Sequence, residues 1–448
     1  MGEPERFQDP VVVAALAELR ANDPSTARDA EAALEWIAGE NDPEAITQEV
    51  IQHFLWYSLP LKWLTELDHK LAVADALGRV LDLLGLPRYA QSCRSDTTHA
   101  ILHAYEHGDA EGLKAFHRAD VGSGIRPPDL PEFEWGATMG LEESRALSST
   151  AELLELAVAG GELAPGTRGW KGRQQELTRR HLNEPRPDLA GQSFALVILT
   201  ERMDAWLGTR RSETRRAILS PIVNRLPHPI ELPTDVDDPL PPFRWLLEQL
   251  ADGIALTQTG NLNQRFVQGA ARRFGWDFSR PPRTEDDLYD LHQVRVMAQR
   301  LGLARRSDRK LVLTAKGRAA LADREARWRS VARGLLDVRP FVVFAGELFL
   351  ALLVDVDADA LPYKDLTSTI GRAVAEEGFR ETRTGELPDQ HDIGWAVHAI
   401  LNPCRALGIL LEGGTWRDLR YGLTEAGRAI ALEALRARAT GPRPSPWS

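Results

Sequence analysis

The sequence predicts a mainly α chain: an N-terminal helical region, then two duplicated units that each join helices to a short β-hairpin. Three observations predict this. Apolar residues recur at three- and four-residue spacing along most of the chain, which is the helical period. A stretch at 231–243, ELPTDVDDPLPPF, holds four prolines and four acids and reads as a linker. Beyond it, one phrase is written twice, as LVLTAKGRAAL at 311–321 and YGLTEAGRAIAL at 421–432.

In the N-terminal region, residues 11–120 read as helices in VVVAALAELRA, AEAALEWIAG, ITQEVIQHFLWYSL and KLAVADALGRVLDLLGL. Ser95 or Asp96 suits the cap of a further helix running to His107. The breaker-rich VGSGIRPPDLPEFEWG, 121–136, is a loop or sub-boundary. Helices resume at 142–159, at 170–182 and through 190–227. The expected division is 1–230 for this region, 231–243 for the linker, 244–335 and 336–438 for the two units, and 439–448 for a flexible tail.

The first unit reads as helix 242–253, strand 254–257, helix 262–275, helix 285–302, a hairpin from Leu303 to Thr314 and a helix from Ala315. The second reads as helices 341–354, 366–378 and 391–408, a hairpin over 409–424 and a helix from Glu425, with Pro403 interrupting the third helix. An offset of +106 overlays LHQVRVMAQRLGL (291–303) on VHAILNPCRALGI (397–409). An offset of +110 overlays Leu313-Thr314 and Gly317-Arg318 on Leu423-Thr424 and Gly427-Arg428. The four extra residues fall at the hairpin tip, where insertion costs least. In each unit the third helix ends at Leu-Gly, glycine taking the left-handed cap, and a threonine caps the helix after the hairpin.

Three helices followed by a two-stranded wing make the winged-helix arrangement. LGLARRSDRKLVLTAKGRAAL resembles the wing of MarR-type and PadR-type repressors, where a Gly-Leu-x-x-Arg step leads through an Asp-Arg tip to Leu-Thr-x-x-Gly-Arg. The likeness covers about twenty residues of the first unit. It is weaker in the second, where EGGTWRDLR replaces the basic tip. The C-terminal half is also loosely similar to actinobacterial proteins of unassigned function that carry an LT-x-x-G-x-L stretch, here LTQTGNL at 256–262.

Charge is unevenly spread. The net charge is −11, and residues 1–246 hold 25 basic against 39 acidic side chains. Residues 264–335 reverse this with 17 basic and 8 acidic, while 341–440 return to 10 and 15. A basic block in an acidic chain suits either a nucleic-acid surface or a solvated face with internal ion pairs. The MarR-type likeness implies a recognition helix at 285–301, with Arg305–Lys310 as wing tip. Its apolar stripe is Leu288, Leu291, Val294, Ala298 and Leu301, leaving Tyr289, His292, Gln293, Arg295, Gln299 and Arg300 outward. Arg295 then suits a guanine edge and Gln293 or Gln299 an adenine. Arg272, Arg273, Arg305, Arg306, Arg309 and Lys310 suit phosphate. Glu285, Asp286 and Asp287 oppose this, because they would set acids against phosphate where a recognition helix meets the bases.

Other chemistry has less support. His99, His103 and His107 recur every four residues with Asp109 and His117 nearby, and a pair at that spacing suits one metal ion. The third histidine lies ~12 Å along the axis and cannot share it. Asp355, Asp357 and Asp359 lack the glycine and glutamate of a calcium loop, having Ala360 and Leu366 there. GGELAPGTRGWKGR (160–173) lacks phosphate-loop spacing. Trp56, Tyr57 and Trp63 read as core, and Cys93 and Cys404 as buried thiols.

The expectation is a bacterial, cytoplasmic DNA-binding regulator acting through the basic unit, with no enzyme activity, cofactor or membrane partner. A protein-binding or self-associating scaffold is the alternative. The charged opening MGEPERFQDP is unlike a secretory signal, two distant cysteines suit a reducing compartment, and arginine outnumbers lysine 47 to 7.

Overall fold

The computed structural model describes residues 7, 9–38, 46–234, 236–276, 281–355, 360–415 and 417–443. They form a mainly α fold with two small antiparallel sheets, divided into two compact units. The first unit takes residues 1–135 and 139–195, and the second takes 136–138 and 196–448.

The first unit has only helices as its named elements among the described residues. It contains α1 (Pro10–Asn22), α2 (Pro24–Ala38), α3 (Gln48–His53), α4 (Leu59–Lys62), α5 (Leu67–Leu83), α6 (Pro87–Cys93), α7 (Asp96–Tyr105), α8 (Asp109–Ser123), α9 (Leu141–Ala159) and α10 (Trp170–Asn183). Ser95 caps α7 as expected, its side chain accepting from Thr98 N. The expected helix over 46–59 is not regular. A π-helical turn, Phe54–Ser58, separates α3 from α4, and the Leu59 N–H bonds to Phe54 O. The wider turn brings Phe54, Leu55, Trp56 and Ser58 into the core. Trp56 Nε1 donates to Thr98 Oγ1 at 2.9 Å, so its one polar atom is satisfied inside.

The second unit begins within α11 (Phe194–Gly208) and adds α12 (Glu213–Val223). Composition groups residues 196–230 with the N-terminal region, but packing places them here. Leu219, Ile222, Leu226 and Ile230 join the large core that both duplicated copies share. Arg215 is anchored in the same interior. Its Nη2 lies 3.1 Å from Glu347 Oε2, with both side chains at least 95% buried. Trp206 Nε1 donates to the other carboxylate oxygen at 3.1 Å. Glu347 is thus the buried partner that an otherwise apolar helix carries for α11 and α12.

The first copy runs α13 (Pro241–Leu250), β1 (Ile254–Ala255), α14 (Gln264–Phe274), α15 (Tyr289–Arg300), β2 (Ala304–Ser307), β3 (Lys310–Leu313), α16 (Ala315–Ala322) and α17 (Arg324–Leu335). The second runs α18 (Pro340–Val354), β4 (Leu361–Pro362), α19 (Tyr363–Glu377), α20 (Gln390–Ala406), β5 (Leu410–Thr415), β6 (Asp418–Leu423) and α21 (Glu425–Thr440). Their sheets match, with strand orders β1-β3-β2 and β4-β6-β5. The repeated phrase has the same mechanics in each. Thr314 Oγ1 accepts from Gly317 N at 3.0 Å, and Thr424 Oγ1 from Gly427 N at 2.9 Å. A Cβ at Gly317 would stand 2.0 Å from Leu303 O, and one at Gly427 2.2 Å from Ile409 O. Only glycine lets the closing helix approach the strand this closely.

Several expectations shift. The third helix of the first copy starts at Tyr289 rather than 285, because Asp287 Oδ2 accepts from the N–H groups of Arg283 and Thr284 and holds a turn there. In the second copy α20 continues through Pro403 without interruption. Residues 439–443, expected in the tail, are packed: Ala439 and Thr440 are buried, and Arg443 O accepts from Ala137 N and Thr138 N. The copies pack together through α15 on α20 and α17 on α21.

Candidate nucleic-acid interface

The wing of the first copy is a tight hairpin. Arg305 pairs with Val312, Arg306 with Leu311 and Ser307 with Lys310, leaving Asp308-Arg309 as a two-residue turn. Asp308 takes a left-handed φ of 53°, which aspartate tolerates better than most residues. Leu311 and Leu313 point into the core, so the alternate positions and the tip face solvent. Leu256 N donates to Arg309 O at 2.8 Å, tying the tip to the chain after β1.

This places the basic side chains in two groups. Arg305, Arg306, Arg309 and Lys310 are exposed on the wing, and Arg272 and Arg273 are exposed in the last turn of α14. Among the described residues, none of the six forms an ion pair with a carboxylate. Arg306 Nε donates to Asp308 O at 3.0 Å, and its guanidinium lies over Gly260.

The third helix is different. Arg295 is 15% exposed, and its Nη1 lies 2.5 Å from the fully buried Glu285. The same nitrogen donates to Gly260 O at 3.2 Å, while Nε donates to Gln299 Oε1 at 3.2 Å. Glu285 also accepts from Leu262 N at 2.8 Å and faces His292 Nδ1 at 3.3 Å. The acid expected to confront phosphate is therefore an internal hub. It joins the LTQTGNL turn to α15 and occupies the arginine assigned to base reading. Gln293 is half-buried, and Arg300 Nη2 donates to Gly334 O at 2.7 Å. Tyr289 and Val296 remain outward, with His292 partly exposed beside them. Asp290 sits near Arg405 and Glu412, so the start of α15 meets the end of α20; burial raises its carboxyl above the usual range, with the Arg405 charge opposing.

Other candidates separate on inspection. His99, His103 and His107 are exposed, and α7 ends at Tyr105, before the third of them. Among the described residues, no group of three or more metal-binding side chains could hold an ion. Asp355 caps the end of α18, whereas Asp357 and Asp359 lie outside the described residues. Cys93 and Cys404 are buried, and burial pushes each thiol up to about 12. One pairing escaped sequence reasoning: Ser149 Oγ lies 3.0 Å from His181 Nε2, across α9 and α10. Burial lowers the His181 pKa and favours its neutral form. Among the described residues no carboxylate holds the other ring nitrogen, so a nucleophile–base–acid series is not assembled.

The second unit is thus a duplicated helical module with a cationic wing on its first copy. A family model described as the Y4jL N-terminal domain matches residues 244–326, which runs from α13 into the first turn of α17. No curated protein and no solved structure matches the chain. Among the described residues no helix is long and apolar enough to cross a membrane.

Proposed function

We propose that the chain is a cytoplasmic DNA-binding regulator whose first copy grips the phosphate backbone through its wing. The observation that carries this reading is the contrast in pairing. Arg305, Arg306, Arg309 and Lys310 stand exposed without carboxylate partners among the described residues, while Arg295 on the third helix has one. Arg295 and Gln299 are engaged with each other and with Glu285 and Gly260, so neither is free to read a base edge. Binding is then dominated by counterion release, with weak discrimination between sequences.

Four phosphate contacts give a slope of about −3.6 in log affinity against log salt. The Arg305/Arg306/Arg309→Ala variant should lose about three-quarters of that slope. Mobility shifts with mixed duplex fragments at low and moderate salt test this. Salt-insensitive affinity, or equal binding by the variant, ends the proposal.

A protein-binding role is the second reading. The packing of α15 on α20 favours it, because that contact covers part of the helix a duplex would need to receive. A strictly monomeric, partnerless protein would count against it.

A further inference from the structure

The two copies differ most in what lies against their second helices. The buried residues Val267, Ala270 and Ala271 of α14 correspond to Ile370, Ala373 and Val374 of α19 at an offset of +103. Both helices end at a left-handed glycine, Gly275 and Gly378, at the same offset. An aromatic follows each glycine, Trp276 in one copy and Phe379 in the other.

In the second copy this face is covered. Phe379 packs against Phe341 and Phe344 of α18, and α12 lies against both α18 and α19. The start of α12 is held by the two acids that end α19. Glu377 Oε2 accepts from Arg211 N at 2.8 Å and Ser212 N at 3.2 Å. Glu376 accepts from Thr214 N at 2.9 Å and Ser212 Oγ at 2.8 Å. These carboxylates sit where a helix N-terminus is positive.

In the first copy Val267, Ala270 and Ala271 are buried as well, but among the described residues the aromatic rings beside them have no helix in the place of α12. Trp245 of α13 stacks on Phe266 at 4.9 Å and meets Phe274 edge-on at 5.5 Å, and Phe274 meets Trp276 at 4.9 Å. All four rings are partly exposed. Among the described residues, no element packs along α14 as α12 packs along α19. The charge at the rim is also reversed. Arg273 occupies the position of Glu376, beside Arg272, and among the described residues neither has an acid partner.

We propose that the α13–α14 face of the first copy docks an acidic amphipathic helix of a partner protein, in the place α12 takes on the second copy. The partner's apolar side covers Trp245, Phe266 and Phe274. Its carboxylates, or its negative C-terminal end, meet Arg272 and Arg273, the opposite polarity to α12. This surface is separate from the wing and stands whether or not the wing binds DNA.

The test uses the full chain and two fluorescent 18-residue amphipathic peptides, one with glutamates in its last turn and one with lysines there. Polarisation titration should show the acidic peptide binding at least tenfold tighter than the basic one. Arg272→Glu/Arg273→Glu should invert that preference, and Arg272→Gln/Arg273→Gln should erase it, in variants that melt like the parent. Trp245→Ala should weaken the acidic peptide. Equal binding of both peptides, or a preference the arginine variants leave intact, overturns the proposal. So does a finding that duplex DNA displaces the acidic peptide and loses its own affinity in the double Glu variant, because the two arginines would then serve phosphate.

Discussion

Replacing Glu285 with alanine should unfasten the first copy without touching its surface. The carboxylate is fully buried and takes hydrogen bonds from Leu262 N at 2.8 Å and Arg295 Nη1 at 2.5 Å. Its loss leaves the Leu262 amide without that acceptor and a largely buried guanidinium without its acid. Breaking a buried pair costs about 3–5 kcal/mol. Arg295 keeps some solvent and its bonds to Gly260 and Gln299, so the lower end applies, about 3 kcal/mol. Hydrogen exchange is the suitable assay, because the chain has two units and global melting would mix them. Protection of Leu262 and of the β2–β3 ladder should fall by about two orders of magnitude, as ~3 kcal/mol requires, while the first unit stays unchanged. Arg295→Leu added to Glu285→Ala should recover part of the loss, since the stranded charge is gone. A loss below about 1 kcal/mol, or strict additivity of the two substitutions, would refute the hub. Arg295→Leu alone should also leave the salt slope of DNA binding unaltered, whereas an arginine on the phosphates would change it by about 0.9.

Gly317→Ala and Gly427→Ala should each cost about 1–3 kcal/mol and lower melting temperature by similar amounts, because each new methyl meets a carbonyl oxygen in the same place; a tolerated substitution at either would break the equivalence. Glu433 is fully buried between Arg333 and Arg436 at 3.9 and 4.0 Å, and neither carboxylate oxygen has a hydrogen-bond partner among the described residues. Burial raises its pKa above the usual 4.5, so the charged form costs stability above the folded pKa and the cost fades as pH falls toward 4.5. Glu433→Gln should therefore raise the melting temperature at pH about 7.5 and do less at pH about 5; destabilisation at the higher pH would show that the arginines favour the charge. Hydrogen bonds from Thr214 and Ser212 hold the Glu376 carboxyl below 4.5, so its grip on α12 is present above that value and is lost as pH falls through the folded pKa. Exchange at Thr214, whose N–H donates to Glu376, should rise over that range once corrected for intrinsic rate, and flat protection would contradict it.

Much of the second unit was legible because its signals are local. The Leu-Gly stop, the Thr-x-x-Gly start and the alternating LVL strand each act within one turn or one strand. The hairpin and closing-helix boundaries therefore fall within a residue or two of expectation. What sequence could not show were choices between partners. Glu285 sits among acids that all look exposed in the written chain, and only the approach of Leu262 and Arg295 turns it inward. Residues 196–230 precede the most conspicuous linker, yet contacts such as the buried Arg215–Glu347 pair, across 132 positions, place them with the later helices. The candidate site divided along the same line. Wing arginines, set by strand alternation and a two-residue turn, were readable. The state of Arg295 depended on a non-local contact and was not.

The seam between α15 and α20 has a consequence for how this module can diversify. In a dimer of identical subunits, every substitution appears on both sides of the axis, and a cationic wing on one side imposes one on the other. Here the two halves are covalently joined, so their meeting is intramolecular and does not weaken on dilution. Each half can therefore differ without its fellow: where one carries Arg273 the other carries Glu376 with α12 against it, giving one polypeptide a built-in left and right.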